Sequence, residues 1–551
     1  MPHFDTQGKL LLKGDFSGIQ EFIFNIPSKK AAKTLKGKSF YVQALSWLAI
    51  NDLKKSCKGS EVIYDGGGNF FMLIPTHCET ILVKKQESYL QELANEGLTL
   101  ILTWQLYDDT LTYGENLQEL NKKAQLRSLN KFQNSSLFDF FEPMSSANVV
   151  QTTENGAVEF DKLGEWVIKS SGCKFEEKPK KRGISKLSQN LNFVNGVSDK
   201  ILGNTVNGFL PLYDRKDMEL IEPDTLTDEK VEEGAIMTFE HIAFFAAERT
   251  GTDNLGILSL DVDSLGHVVR ERLETIEQNV AFSNALTTFF ENNLWKIIST
   301  GSFETVQRSE KDPDKKREYL STKKNIPFNK TIYPVFVGGD DCFLVGAWDA
   351  IWELTSIIKQ QFDDYVKQDK ILESYQLTFS AGLVMVSSNF PVNQFANLAK
   401  DALYQAKKAE GKNSVSFMGY VLSWEEWSEI VKLKQKLLIE VIEYDASKGM
   451  LNRFKAGKEL YEQLQHKILN KGTIELSAIA DFYYGLRDYK PKEAKTEIQK
   501  HKEAEVTYFI QTYNEFLTRA FIHHKAINSL IIPLAARWVE FLTRNKNGEN
   551  K

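Results

Sequence analysis

One pattern occurs twice in this chain, in the same order, and it narrows what the chain can fold into. Two apolar runs around a glycine turn make up Glu61–Pro75 (EVIYDGGGNFFMLIP), and the arrangement returns in Thr331–Trp348 (TIYPVFVGGDDCFLVGAW). A single apolar strand precedes each: Lys9–Phe16, followed by a turn at Ser17-Gly18 and a helix, and Leu255–Val262 (LGILSLDV), followed by a Ser-Leu-Gly turn and helices to about Ile298. A charged helix follows each pair (Glu79–Glu96 and Asp349–Gln368), and then another strand (Leu98–Tyr107 and Gln376–Ser387). The second copy continues with a helix at Val392–Ala409 and a strand at Ser414–Met418. The order βαββαβ predicts a split-βαβ, ferredoxin-like sheet with helices on one face. A whole unit repeated predicts two such domains in tandem.

At 551 residues the chain exceeds one compact core. The expected fold class is α+β: a first domain over 1–128, a linker domain over 129–245, a second repeat over 246–420 and a C-terminal α-helical domain over 421–551. The linker is weakly patterned and holds a basic stretch, Lys174–Lys186 (KFEEKPKKRGISK). A charged insertion, Gln307–Lys330, reads as a surface loop of the second repeat. From about residue 421 the pattern is that of long amphipathic helices (WSEIVKLKQKLLIEVIEY, EAEVTYFIQTYNEFLTRAF, LIIPLAARWVEFL), read as a separate domain.

Charge and cysteine use exclude several classes. A formal net charge of −6 is wrong for a chain that attracts nucleic acid as a whole, so any RNA contact must come from local patches or partner subunits. No apolar stretch approaches the roughly 20 residues of a membrane span, and the N-terminus lacks a signal-peptide pattern. Cys57, Cys78, Cys173 and Cys342 stand far apart with no C-x-x-C, which argues against a zinc ribbon or disulfide framework and fits a reducing cytoplasm. There is no His-Asp pair and no H-E-x-x-H.

The chemistry concentrates in the second repeat. Glycines at 338 and 339 suit a tight hairpin, but a hairpin gives no reason for two adjacent carboxylates, Asp340 and Asp341, at the end of buried strands. Like charges there repel unless a cation neutralises them. Asp261 and Asp263 lie two residues apart at the end of the Leu255 strand, so an extended backbone puts them on one face. A ferredoxin-like sheet makes that strand the neighbour of the hairpin. Asp340, Asp341 and Asp261 are therefore the candidate catalytic residues, and Asp261, Val262, Asp263, Asp340 and Asp341 the candidate metal set. Hard oxygen ligands suit Mg²⁺ or Mn²⁺ and in-line phosphoryl chemistry. Taken alone, Asp261 and Asp263 fit a helix N-cap as well, and an isolated hairpin tip fits GGDD. Lys407, Lys408 and Lys412 in ALYQAKKAEGKN flank the last strand, where they could reach a triphosphate. The first repeat keeps the skeleton without the carboxylates: Gly68 and Asn69 align with Asp340 and Asp341, and Asp15 falls near the Asp261 position. Gly66, Gly67 and Gly68 would let a nucleotide approach the backbone closely.

Residues 14–46 (GDFSGIQEFIFNIPSKKAAKTLKGKSFYVQALS), the glycine hairpin at 63–74, residues 239–266 and residues 334–419 with GGDD and the G-K-N ending resemble the palms of the large, polymerase-like subunit of type III CRISPR effector complexes. The resemblance implies two palm (cyclase/polymerase) domains and a target-RNA-activated nucleotidyltransferase that turns ATP into an oligoadenylate second messenger for antiviral defence. Asp340, Asp341 and Asp261 would hold the metals, with Gly338 and Gly339 at the donor nucleotide. Ser39, Gly66, Gly67 and Gly68 match the positions that bind a second ATP. Implied partners are the other subunits of such a complex, guide RNA and target RNA. Many members begin with a histidine-aspartate nuclease and carry a four-cysteine ribbon between the palms. This sequence begins at the palm and has only Cys173 in the linker, so no DNase activity is expected of it. Alternatives are a catalytically idle scaffold in the same ribonucleoprotein, a diguanylate-cyclase-like enzyme and a template-dependent polymerase. The duplicated palm and the G-D-x-S-G-I-Q opening argue against the cyclase of that kind, and the lack of a basic cleft against the polymerase.

Overall fold

The computed structural model describes residues 4–26, 30–94, 98–129, 154–170, 172–175, 191–194, 200–201, 210–221, 231–311, 318–444, 446–470 and 475–544. Strands β1 (Lys9–Ser17), β2 (Glu61–Asp65), β3 (Asn69–Pro75) and β4 (Thr99–Leu106) form an antiparallel sheet in the order β2-β3-β1-β4. Alternation along β1 divides its side chains between two cores. Leu10 and Leu12 join the main core with the long helix Ala31–Ser56, whereas Leu11 joins Ile63, Leu73, Tyr113, Leu117 and Leu120 on the other side. The helix Tyr113–Leu129 therefore covers the face that the sequence pattern left open, and the expectation of helices on one face alone does not hold for this sheet.

In the linker the described pieces include the helix Glu154–Lys169, which packs on Ala31–Ser56, a small sheet of β5 (Gly172–Phe175), β6 (Leu191–Val194) and β7 (Lys200–Ile201), and the short helix Arg215–Leu220. The two helices approach through glycines, since a Cβ on Gly37 would overlap the Phe160 carbonyl and one on Gly164 the Lys33 carbonyl. The basic stretch Lys174–Lys186 lies outside the described residues beyond Phe175.

The second sheet holds β8 (Asn254–Val262), β11 (Ile332–Val337), β12 (Asp341–Ala347), β13 (Phe379–Ser387), β14 (Ser414–Phe417) and β15 (Tyr420–Ser423), in the order β11-β12-β8-β13-β14-β15. Its first four members repeat the order of the first sheet, so the molecule is an α+β protein built on two ferredoxin-like palms. Two expectations need correction. The insertion at Gln307–Lys330 is a β-ribbon, β9 (Ser302–Lys311) paired with β10 (Glu318–Pro327), because apolar Phe303, Val306 and Ile326 turn inward among charged neighbours. The chain does not pass from β14 straight into helices. It turns at Met418 and Gly419, both with positive φ, and adds β15 at the sheet edge.

The C-terminal helices share the second palm's core instead of standing apart. Trp538, from the helix Ile531–Leu542, meets Trp352 at a ring-centroid distance of 5.1 Å, Trp427 at 5.4 Å and Phe417 at 5.6 Å. Phe541 extends the seam to Trp348. Among the described residues no helix is long and apolar enough to cross a membrane.

Candidate functional site

Antiparallel pairing of β12 with β8 sets Asp341 directly opposite Asp261, and β13 places Ser380 on the far side of Asp261. The hairpin is closed by the Gly338 amide donating to the Asp341 carbonyl at 2.8 Å, and the Val262 amide donates to the Asp340 carbonyl at 3.0 Å. A Cβ on Gly338 would meet the Asp341 carboxylate and force it to shift. Burial holds the Asp340 carboxyl above its usual range. It pushes Asp341 up to about 7, with the adjacent Asp340 charge adding to the effect. Two carboxylates that resist ionising side by side are a set that a hard divalent cation would relieve.

The other predicted residues separate into those near this pair and those engaged elsewhere. Lys407 forms an ion pair with Asp261, and burial, assisted by nearby Lys412, lowers its ammonium to about 8. Lys412 reaches the Ser264 hydroxyl at 3.2 Å. Lys408, next on the same helix, is turned about 100° away; its ammonium lies 4.3 Å from the Tyr404 ring centroid and is exposed. Val262 buries its side chain in the core and presents only its backbone at the strand end. Asp263 sits in surroundings the sequence did not indicate. The strand ends at Val262, so the period-two argument stops there, and Asp263 turns inward at 4% exposure. Its carboxylate accepts from the Thr378 hydroxyl (2.9 Å), the Ser380 hydroxyl (2.8 Å) and the Asn413 amide (3.0 Å). It braces the end of β8 against β13 and the G-K-N turn.

Ser39 also departs from expectation. It is buried, and its hydroxyl donates to the Val335 carbonyl of β11 at 2.5 Å, so it fastens the first palm to the second. The Tyr333 hydroxyl donates to the Ala32 carbonyl at 2.6 Å across the same seam. Asp15 pairs with Lys13 and lies opposite Asn69 in the register. Gly67 takes a φ of 72°, and a Cβ on Gly68 would sit 2.8 Å from the Ile19 side chain.

The docking of the palms brings in residues that no motif singled out. Tyr64, at the arm of the GGGN hairpin, lies beside Gly66 of its own palm and Gly339 of the other; a Cβ on Gly339 would be 3.0 Å from its hydroxyl oxygen. Burial and the charges of Asp340 and Asp341 raise the Tyr64 phenol above its ordinary value, so the two hairpins face each other closely enough to interact. Thr287 and Glu291 border the same place. The sequence carried no signal for this, since EVIYDGGG reads as an ordinary strand and turn. Among the described residues, the His, Cys and carboxylate side chains that converge within 4.8 Å are Glu440, His501 and Glu505 in the C-terminal helices. The strand-end aspartates are not drawn in so tightly, with Asp261 held by Lys407.

The fold that carries this site is shared with known proteins. The model of the Cas10/Cmr2 second palm domain matches residues 254–416, and that of Csm1 subunit domain B matches residues 9–143. Both repeats thus match domains of Cas10-type proteins, and the chain has Cas10/Csm1 homologues of subtype III-A. A subtype III-A Cas10/Csm1 protein of Methanocaldococcus jannaschii, described as a single-strand-specific deoxyribonuclease, is 27% identical over 525 residues, covering 78% of this chain and 62% of that one. Its counterpart in Mycobacterium tuberculosis is 24% identical, covering 84% and 60%. The chain thus spans about three-fifths of the length of these relatives. Among solved structures, the Csm1–Csm4 cassette in complex with cA4 aligns over 97% of this chain with a TM-score of 0.66 at 19% identity, a likeness of fold. The cassette in complex with one ATP gives 0.64 at 21%.

Proposed function

We propose that the chain is the nucleotidyltransferase subunit of a type III CRISPR effector complex, activated by target RNA and joining ATP into an oligoadenylate, cyclic or as a related adenylyl conjugate. The observation that carries this reading is the Asp341–Asp261 register with Asp340 beside it, facing a glycine hairpin of the other palm. Mg²⁺ or Mn²⁺ held by Asp261, Asp340 and Asp341 would lower the pKa of the attacking 3′-hydroxyl and neutralise the leaving pyrophosphate. The protein's own part is placement. Lys407 exchanges Asp261 for triphosphate oxygens, and Lys412 lies within reach of the same phosphates. Gly338 and Gly339 let the donor nucleotide lie against the hairpin, while Gly66, Gly67 and Gly68 receive the acceptor whose hydroxyl attacks the α-phosphorus. The solved Csm1–Csm4 cassettes in complex with one ATP, pppApApA and cA3 support this choice of substrate and product. A Csm4-like subunit, guide RNA and target RNA complete the assembly in this reading, within the cytoplasm.

The Asp261–Lys407 ion pair favours a second reading, an idle scaffold in which the lysine has replaced the metal. One experiment separates the two. The tagged protein is purified with its co-assembling subunits and incubated with target RNA, ATP and Mg²⁺, and products are identified by mass spectrometry beside the Asp340→Ala, Asp341→Ala complex. Pyrophosphate with an adenylate product, absent from the variant, supports the transferase. A loaded complex that forms no product supports the scaffold.

A further inference from the structure

We infer that Tyr64 is a positioning residue of the transferase site: a first-palm side chain that reaches across to the GGDD hairpin and donates its hydroxyl proton to a phosphate oxygen of the nucleotide bound there. The inference rests on the transferase reading above and adds a residue to it. Three observations carry it. First, the hydroxyl lies between the two hairpins, against Gly66 on one side and Gly339 on the other, and both positions are glycine where a methyl would crowd it. Second, the ring is held firmly: it is half-buried, packs beside Phe71 at 6.3 Å between ring centroids, and rests on the Ile63, Leu73 and Tyr113 core. Third, the hydroxyl has no hydrogen-bonding partner among the described residues, although Asp340 and Asp341 are close enough to act on it.

A phenol is neutral at physiological pH, and therefore a donor that adds no charge to a site already carrying lysines and metals. A donor fixed by the fold before the nucleotide arrives costs no reorganisation during transfer. It also gives the first palm a direct hand in chemistry whose metal ligands all lie in the second. A purely structural account, in which the ring only fills the inter-palm seam, makes the hydroxyl superfluous.

The test compares Tyr64→Phe, which keeps the ring, with Tyr64→Ala, which does not, in the assembled complex with target RNA. Readouts are turnover at saturating ATP, affinity for a non-hydrolysable ATP analogue with Mn²⁺, and the thermal midpoint. For Tyr64→Phe the expected result is turnover lowered roughly tenfold to hundredfold, the scale of losing one fixed donor to an oxyanion, with weaker analogue binding and an unchanged midpoint. Gly339→Ala in the Tyr64→Phe background is expected to cost less than in the wild type, because the crowding oxygen is gone. Wild-type turnover and affinity in Tyr64→Phe, or a midpoint lowered as far as in Tyr64→Ala, overturns the inference. A wild-type complex that forms no product but binds the analogue more tightly than Tyr64→Phe overturns the transferase reading and leaves the phosphate contact standing. A wild-type complex that binds no analogue overturns both.

Discussion

Asp341 lies where a carboxylate is hard to ionise: partly buried, at a strand end, with a second carboxylate adjacent. Its folded pKa of about 7 stands above the ordinary value near 4, so folding favours the neutral acid. The contribution to stability is complete below about pH 4 and is lost as pH rises through 7. In chelator, the midpoint attributable to this group should therefore fall between pH 5 and 8, and Asp341→Asn should flatten the slope in scanning fluorimetry. Mn²⁺ should raise the wild-type midpoint more at pH 8 than at pH 6, because protons compete for the same oxygens; an increment independent of pH would count against Asp341 as a ligand. Asp263 behaves oppositely. Asp263→Ala strands three donors in the interior and should cost about 2–4 kcal/mol in urea unfolding. That cost should appear with or without metal, the mark of a brace.

At the scale of elements, the ferredoxin-like order was legible because it depends on apolar runs and turn residues spaced along the chain, and the pairing of β8 with β12 follows from that order. What could not be read was local. The β9–β10 ribbon hides its strand character under Lys and Glu, since only Phe303, Val306 and Ile326 mark the inward face. The inward turn of Asp263 was hidden because the strand ends one residue before it. Lys407 and Lys408 looked alike on paper, and only the helix rotation separates them. The β14–β15 turn depends on Gly419 at φ 86°, so Gly419→Ala should destabilise by about 1 kcal/mol in chemical unfolding. Farther on, Glu440 accepts from Tyr489 and lies 2.9 Å from His501 Nε2, while Glu505 is bound by Lys436. With Lys436 on Glu505, and His501 and Tyr489 on Glu440, this cluster is a clasp between helices. Glu440→Ala should cost about 2–3 kcal/mol by leaving the Tyr489 hydroxyl unpaired in the interior, readable as a lower urea midpoint.

Across the whole molecule, one core runs from the first palm through the second and into the C-terminal helices. Trp538→Ala opens a cavity among Trp352, Trp427 and Phe417 and should cost about 3–5 kcal/mol. Because the seam is shared, the second palm and the helices should still melt in a single calorimetric transition at a lower temperature. Two well-separated transitions would show that the seam does not couple them. The sequence offered no view of this, since LIIPLAARWVEFL is equally consistent with a helix packed among its own neighbours.

The opposed hairpins have a consequence for synthesis. Tyr64 and the glycine turn leave the ribosome long before Asp340 and Asp341, and the seam fastened by Ser39 and Tyr333 closes only after β11 has been made. A nascent chain halted anywhere before that strand holds half of a composite centre. Such a fragment has Tyr64 and the glycine turn but neither the Asp341–Asp261 register nor the seam, so the opposed hairpins assemble only once the second palm is made.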